Sequence, residues 1–258
     1  MAFLHSIEMS GLTDTGLRRP SNEDSIVMLQ GDELSERFLA VAGVFDGVGG
    51  RPHGDVASSL ATHHLSQILR QASCDHQSTP ETEMEFREVM LRIHERIRER
   101  GLQESEYRGM ATTGSVVFVT NSRPPHMWIG HVGDSSIFLL RNDRLTRLTR
   151  GDSLVGEMVE MGLVTADEAS RHPKRHIITQ ALGGYMMINP YVSYHTVEPG
   201  DRVLLCTDGL TDLIPEAKIK HILESGALNS AARRLIDASN NAGGSDNVSA
   251  VVFSYLRQ

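Results

Sequence analysis

The sequence contains few of the residues that stabilise secreted proteins or anchor membrane proteins. Only two of its 258 residues are cysteines, and aromatic residues make up 5%. Cys74 lies in a polar stretch and Cys206 in an apolar one, so we expect no disulfide and a reducing compartment. No apolar run approaches the roughly 20 residues that cross a bilayer. Residues 1–8 contain no basic segment, which predicts no signal peptide and, with the missing disulfide, a cytoplasmic protein.

The net charge and the lack of nucleotide-binding glycine motifs exclude further classes of function. A net charge of −8 disfavours a nucleic-acid surface, and no stretch predicts a membrane partner. There is no P-loop, and Gly47-x-Gly49 lacks the third glycine of the dinucleotide-binding fingerprint. The length fits one large domain or two small ones. The sequence contains no repeat and no clear domain boundary. The 40% apolar share is sufficient for a sizeable core.

Hydrophobic periodicity predicts a mixed fold in which strands follow one another through short turns and helices come in pairs. Short connections imply antiparallel pairing, and the helix pairs suggest helices on the outside of packed sheets. The predicted strands are 4–11, 25–30, 38–45, 113–121, 126–132, 136–141, 144–148, 191–195, 202–207 and 248–255, of which the four from 113 to 148 form a meander. The predicted helices are 54–71, 81–101, 152–161, 165–170, 215–223 and 230–240, and residues 73–80 form a linker.

Four aspartates stand at the ends of apolar strands. Asp46 and Asp208 each follow an apolar run and precede a glycine, Asp134 follows a weaker run, and Asp246 stands just before the last strand. Asp-Gly is also a common turn pair, but its recurrence predicts one shared site built from distant parts of the chain. A carboxylate at the edge of a core needs a cation. Hard oxygen ligands without a matched cysteine or histidine cluster indicate Mg²⁺ or Mn²⁺.

Two loops carry charge beside these strands. In residues 13–24 two arginines precede two acids. This pattern fits either a solvated turn with a local ion pair or an anion-binding arginine beside metal-binding acids, since a planar guanidinium suits phosphate. Residues 151–184 are rich in loops and include a basic stretch at 172–176. They fit either a mobile cover over a site or an ordinary irregular insertion.

Six segments give a more specific signal. They are Arg-Pro-Ser-Asn-Glu-Asp (19–24), Val-Phe-Asp-Gly-Val-Gly-Gly (44–50), Gly-Met-Ala-Thr-Thr (109–113), His-Val-Gly-Asp-Ser (131–135), Leu-Cys-Thr-Asp-Gly-Leu-Thr-Asp (205–212) and Ser-Asp-Asn-Val-Ser (245–249). In this order they resemble the metal-dependent Ser/Thr protein phosphatase family, the PPM or PP2C type, especially its compact bacterial members. The resemblance implies an α+β fold of two stacked antiparallel β-sheets flanked by helix pairs on both outer faces, an α-β-β-α four-layer sandwich. It also implies one domain over 1–258, with a flap at about 151–184.

The resemblance implies a centre of two Mn²⁺ or Mg²⁺ ions. By the family pattern Asp46 bridges both ions, and the carbonyl of Gly47 binds one of them. Asp208 and Asp246 hold the other ion.

Further acids surround this pair in the family pattern. Glu23 and Asp24 support the pair directly or through waters. Asp134, with Asp208 and Asp212, matches a third-metal site seen in bacterial members.

The resemblance implies hydrolysis of phosphoserine and phosphothreonine in proteins by a metal-bridging hydroxide, with Arg19 binding the phosphate. It implies phosphoprotein substrates, opposition to a bacterial Ser/Thr kinase, and a monomer. Some members carry a histidine where this chain has Val48, so the proton donor stays open between His53 and a metal-bound water. One alternative is a phosphatase-fold binding or sensor module with little turnover, which would be expected to lack acids that are all present here. Another is a phosphatase for small phosphorylated molecules.

Overall fold

The structure is a computed structural model that describes residues 5–74, 82–165, 168–169 and 171–257. Its strands are β1 His5–Asp14, β2 Ser25–Gln30, β3 Phe38–Phe45, β4 Gly114–Thr120, β5 His126–Val132, β6 Ser136–Arg141, β7 Arg144–Arg147, β8 Tyr191–Thr196, β9 Arg202–Cys206 and β10 Val248–Arg257. Its helices are α1 Gly54–Cys74, α2 Glu83–Gln103, α3 Leu154–Glu160, α4 Asp208–Thr211, α5 Glu216–Glu224 and α6 Ala231–Asn241. Parts of four predicted segments lie outside the described residues. They are residue 4 of the first strand, residues 75–80 of the linker, residue 81 of the helix at 81–101, and residues 166, 167 and 170 of the helix at 165–170. Within those residues, no helix combines the length and apolar character that a membrane span requires.

Two five-stranded antiparallel sheets form the centre of the fold. The strand order is β1-β10-β9-β6-β7 in the first sheet and β2-β3-β4-β5-β8 in the second. The facing surfaces of the sheets share one apolar core, which includes Val117 and Ile129 from the second sheet and Leu205 and Val251 from the first. The two sheets are therefore stacked face to face.

Helices cover the outer face of each sheet. Helices α1 and α2 pack on the second sheet through a core that includes Leu65, Phe86 and Phe118. Helices α5 and α6 pack on the first sheet through a core that includes Ile219 and Leu235. Burying one such side chain contributes about 1.5–3 kcal/mol, so each helix pair is held mainly by its apolar face. The predicted α+β fold class and the α-β-β-α order of layers are confirmed.

The start of α2 is fixed by its cap. The hydroxyl of Thr82 accepts a hydrogen bond from the backbone N–H of Glu85, and the Glu85 carboxylate accepts one of 2.8 Å from the backbone N–H of Thr82. This reciprocal arrangement is a capping box, and it starts the helix two residues after the predicted position. Phe86, Met90 and Ile97 then recur on the buried face at helical spacing.

The predicted meander over 113–148 is wrong at one connection. Strand β5 pairs with β4 and β8 in the second sheet, whereas β6 pairs with β7 and β9 in the first. The chain crosses between the sheets just after β5, where Gly133 has a φ of +109° and a Cβ would lie 2.7 Å from Cβ of Thr113. Both strands are mostly buried on both faces, so side-chain alternation does not reveal the crossing. The crossing places Asp134 between the two sheets.

Candidate metal centre

The strand register brings the predicted site residues to one end of the sandwich. In the second sheet the start of β2 pairs with the end of β3, and the start of β4 with the end of β5. In the first sheet the end of β9 pairs with the start of β6 and lies beside the start of β10. Because the chain crosses directly from β5 to β6, these strand ends lie at the same end of both sheets. The residues next to them are Asp24, Asp46, Asp134, Asp208 and Asp246.

The backbone of Asp46 is fixed by two threonines from the segment before β4. The hydroxyl of Thr113 accepts a hydrogen bond from Asp46 N (3.1 Å), and Thr113 N donates to Asp46 O (2.8 Å). The hydroxyl of Thr112 also donates to Asp46 O (2.8 Å). These bonds hold the aspartate in place through protein groups alone.

Gly47 has no room for a side chain. A Cβ on Gly47 would lie 2.6–2.8 Å from backbone atoms of Gly54, the first residue of α1. A Cβ on Gly54 would in turn lie 2.6 Å from Oε2 of Glu23. The backbone N–H of Gly47 also donates to the carbonyl of Glu23 (3.2 Å). The two glycines therefore allow the Asp46 loop, the start of α1 and the segment before β2 to meet closely.

Asp24 is buried and accepts two hydroxyl hydrogen bonds on one oxygen. Its Oδ2 accepts from Thr207 Oγ1 (2.9 Å) and from Ser249 Oγ (2.7 Å). Its Oδ1 is also buried and has no donor among the described residues. Burial raises the pKa of Asp24 to about 7, although the two hydroxyl groups lower it. A buried carboxylate oxygen without a donor is suited to a cation.

The aspartates at this end raise one another's pKa values. Burial raises the pKa of Asp46 well above its usual range, and the charges of Asp24, Asp208, Asp134 and Asp246 raise it further. Burial, followed by the charge of Asp208, raises the pKa of Asp134 to about 8. Burial, followed by the charges of Asp212 and Asp246, raises that of Asp208 to about 6. A group of carboxylates that disfavour one another's ionisation fits divalent cations, which would compensate their charge.

Arg19 and Glu23 lie at the rim of this group. The guanidinium of Arg19 donates to Oδ2 of Asp246 (2.7 Å), and the Arg19 side chain is 46% exposed. Burial and the charge of Asp55 raise the pKa of Glu23, whereas the charge of Arg19 lowers it. The predicted anion-binding arginine therefore lies beside the predicted metal-binding acids.

Asn247 positions this rim, a role that the sequence analysis missed. Its side-chain oxygen accepts from Glu23 N (2.9 Å), and its amide donates to the carbonyls of Thr15 (2.9 Å) and Ser21 (2.8 Å). The asparagine was part of a recognised segment, but its partners lie more than 220 residues away in sequence. No local pattern indicates such a contact.

Asp208 and Asp212 project from a single helical turn, α4, rather than from a turn of the Asp-Gly type. Asp212 is the C-terminal cap, and its backbone N–H donates to Asp208 O (2.8 Å). Residues four apart on a helix lie on the same side, which explains how both acids reach one place. His176, from the basic stretch at 172–176, lies beside them with Nδ1 3.4 Å from Asp212 Oδ2. The sequence pattern predicts no role for His176.

Two other residues make structural contacts. His53, a candidate proton donor, packs its ring edge-to-face on Tyr107 with centroids 5.0 Å apart. The hydroxyl of Ser153 caps the start of α3 by accepting a hydrogen bond from Gly156 N (3.1 Å).

The nine predicted site residues therefore stand at the same end of the sandwich. They are Arg19, Glu23, Asp24, Asp46, Gly47, Asp134, Asp208, Asp212 and Asp246. The donor set is made of oxygens, as Mn²⁺ and Mg²⁺ prefer.

Known proteins of one family are similar to this chain in both sequence and fold. A sequence model described as Protein phosphatase 2C matches residues 20–245. The protein phosphatase PhpP of Streptococcus pneumoniae is 32% identical over 249 residues, covering 96% of this chain and 97% of that protein. The crystal structure of the Mycobacterium tuberculosis serine/threonine phosphatase PstP/Ppp has a TM-score of 0.82 at 30% identity, covering 98% of this chain and 99% of that one. The catalytic domain of PstP in complex with two manganese ions has a TM-score of 0.81 at 28% identity, covering 98% of this chain and 100% of that one. The chain belongs to the protein phosphatase 2C family.

Proposed function

We propose that this protein is a metal-dependent protein-serine/threonine phosphatase that hydrolyses phosphoserine and phosphothreonine in proteins with Mn²⁺ or Mg²⁺. The observation that carries the proposal is that strand ends of both sheets bring Asp24, Asp46, Asp134 and Asp208 together at one end of the sandwich. Burial there raises the pKa of each of these carboxyls. Such carboxylates need cations, and their oxygens suit Mn²⁺ and Mg²⁺. Family membership and the two manganese ions of the PstP structure support the same conclusion.

The acids of the centre divide into two groups of proposed cation ligands. Asp46, the Gly47 carbonyl, Asp208 and Asp246 would hold the core pair, with support from Glu23 and Asp24. Asp134, Asp208 and Asp212 would hold a third ion. When bound, such ions supply Lewis-acid stabilisation of phosphoryl oxygens and lower the pKa of the attacking water.

The protein groups around these acids fix their positions before any substrate binds. Thr112 and Thr113 hold the Asp46 backbone. Thr207 and Ser249 hold one oxygen of Asp24 and leave the other oxygen without a donor among the described residues. Preorganised ligands reduce the reorganisation needed in the transition state, which favours catalysis.

Arg19 is the proposed phosphate-binding residue. Its side chain is 46% exposed at the rim of the acid cluster, and a guanidinium carries five N–H donors in a planar fork. It can therefore bond to Asp246 and to phosphate oxygens together. We propose that water, rather than His53, donates a proton to the leaving serine or threonine oxygen, because the His53 ring packs on Tyr107.

The finer features of the proposal follow the family pattern. We propose one domain over residues 1–258 with a flap at about 151–184, supported by the core that the two sheets share. We also propose a cytoplasmic monomer whose substrates are phosphoproteins, and which opposes a bacterial Ser/Thr kinase.

The test is phosphate release from a phosphothreonine peptide, with Mn²⁺ alone, with Mg²⁺ alone, and with EDTA. A phosphorylated sugar at the same concentration serves as the small-molecule control. We expect release from the peptide with either ion, none with EDTA, and a much lower kcat/KM for the sugar. No release from the peptide with any divalent ion would instead support the binding or sensor module.

A further inference from the structure

A histidine of the flap stands beside two acids of the proposed third cation site. One ligand atom from each of His176, Asp208 and Asp212 lies within 4.8 Å of the others. Together with Asp134, these residues line a cleft of about 640 Å³ between the flap and α4. The family resemblance assigns three carboxylates to this site, and the structure places the imidazole of His176 beside two of them.

The position of His176 is fixed by backbone hydrogen bonds on its C-terminal side. Ser153 and Ile178 form an antiparallel bridge, with Leu154 N donating to Ile177 O (2.8 Å) and Thr179 N to Asp152 O (2.8 Å). His176 directly precedes this bridge, so its backbone is held at the base of the flap.

The same bridge is bonded to the segment that carries Asp134. Gly133, the preceding residue, donates its N–H to Oδ2 of Asp152 (3.0 Å) and accepts from Asp152 N (2.7 Å). The loop of Asp134 and residues 177–179 are therefore joined by hydrogen bonds, and His176 stands at the edge of this joined part, where the rest of the flap begins.

A positive group of the flap also faces this site. Nη2 of Arg175 lies 4.0 Å from Oδ2 of Asp212, the same oxygen that His176 approaches. The flap therefore brings two side chains close to this carboxylate, the positively charged Arg175 and the metal-binding His176. A divalent ion at the site would compete with Arg175 for Asp212 and would find His176 within reach.

We propose that His176 is the ligand through which the flap joins the third cation site of Asp134, Asp208 and Asp212, so that an ion bound there fastens the flap to the core. The inference rests on the proposed function for the identity of this site. Imidazole suits transition-metal ions better than it suits Mg²⁺. The third site is therefore selective for Mn²⁺ over Mg²⁺.

The experiment is a Mn²⁺ titration of the whole chain, followed by pulsed electron paramagnetic resonance for nitrogen bound to manganese. All other proposed ligands are oxygens, so directly bound ¹⁴N reports His176. The variants are His176→Ala and, as a matched control from the same loop, His172→Ala. His172 accepts from Lys174 N (3.1 Å) within its own turn. Trypsin cleavage after Lys174 and Arg175 measures fastening of the flap.

We expect three equivalents of Mn²⁺ in the wild type, with ¹⁴N coupling appearing at the weakest one and trypsin cleavage slowing at the same step. His176→Ala should lose the coupling and the protection, and its weakest equivalent should bind about 10-fold less tightly or more. His172→Ala should behave as the wild type.

Two equivalents of Mn²⁺ in the wild type, or three without ¹⁴N coupling, would overturn the inference. Coupling that persists in His176→Ala would do the same. Each of these results would leave the proposed function intact if the wild type still releases phosphate with Mn²⁺. Failure of that release would instead contradict the proposed function.

Discussion

The Arg19 guanidinium donates a hydrogen bond of 2.7 Å to Oδ2 of Asp246, across 227 positions of the sequence. The bond to Asp246 is also the main reason that the pKa of Arg19 is raised. The arginine therefore compensates part of the charge of a proposed metal ligand. This pairing connects phosphate binding and cation binding through one contact.

Replacing Arg19 by Ala should mainly weaken substrate binding. The substitution removes the exposed donor at the rim and leaves the buried acids in place. We expect KM for a phosphothreonine peptide to rise about 10-fold with a smaller change in kcat. Arg19→Lys, which keeps the charge without the planar fork, should be intermediate. A fall in kcat at unchanged KM would contradict a role in ground-state phosphate binding.

Replacing Asp134 by Asn should stabilise the ion-free protein at high pH. Burial and the charge of Asp208 raise the pKa of Asp134 to about 8, against about 3.9 in an unfolded chain. The folded state then binds this proton more tightly, so its contribution to stability falls as the pH rises from about 4 to about 8. In EDTA, urea unfolding should show the stability of the variant relative to the wild type rising between pH 5 and pH 8, by at most about 4 kcal/mol at about 1.4 kcal/mol per pH unit. A variant that is less stable at both pH values would contradict this account.

Replacing Ser249 by Ala should lower the Mn²⁺ affinity of the core pair. The substitution removes the 2.7 Å hydrogen bond to Asp24, and loss of such a supporting group typically costs about 10-fold in metal affinity. Ser254→Ala is a matched control, since this buried serine of the same strand donates to Asp201 O at 2.9 Å. Calorimetric titration should show an unchanged affinity in the control. Equal losses in both variants would show a general effect on β10 instead.

Replacing Gly47 by Ala should disturb the centre through steric overlap. The new Cβ would lie 2.6–2.8 Å from the backbone of Gly54, and such overpacking costs about 1–3 kcal/mol. Gly49→Ala in the same loop meets nothing within 4 Å and should be nearly neutral. Thermal unfolding in EDTA compares the two. Equal stability of both variants would be inconsistent with the close approach described here.

The strand ends and their acids were predictable because both are local features. An apolar run followed by Asp-Gly, as at Asp46 and Asp208, marks a buried strand and a carboxylate at its end without reference to the rest of the chain. The family resemblance then supplied the fold class and the order of layers, which the structure confirms.

The remaining features depend on contacts between distant residues. The hydroxyls that hold Asp24 come from Thr207 and Ser249, 183 and 225 residues away. The crossing from β5 to β6 escaped prediction because two strands buried on both faces look alike whether or not they share a sheet. His176 escaped because a histidine in a basic loop shows no sign of the acids that it faces. The four-residue spacing of Asp208 and Asp212 was the one local sign that both acids share a side of a helix.

The most direct test of the central claim compares Asp208→Asn with the wild type in Mn²⁺ binding and in phosphate release from a phosphothreonine peptide. The Asn variant should fold, because burial raises the pKa of Asp208 to about 6 and a neutral amide of the same shape avoids the cost of burying that charge. It should no longer bind Mn²⁺ tightly. Its kcat/KM should fall about 1000-fold, since the ions supply several kcal/mol of transition-state stabilisation. A folded variant that binds Mn²⁺ and releases phosphate as the wild type does would contradict the assignment of this centre.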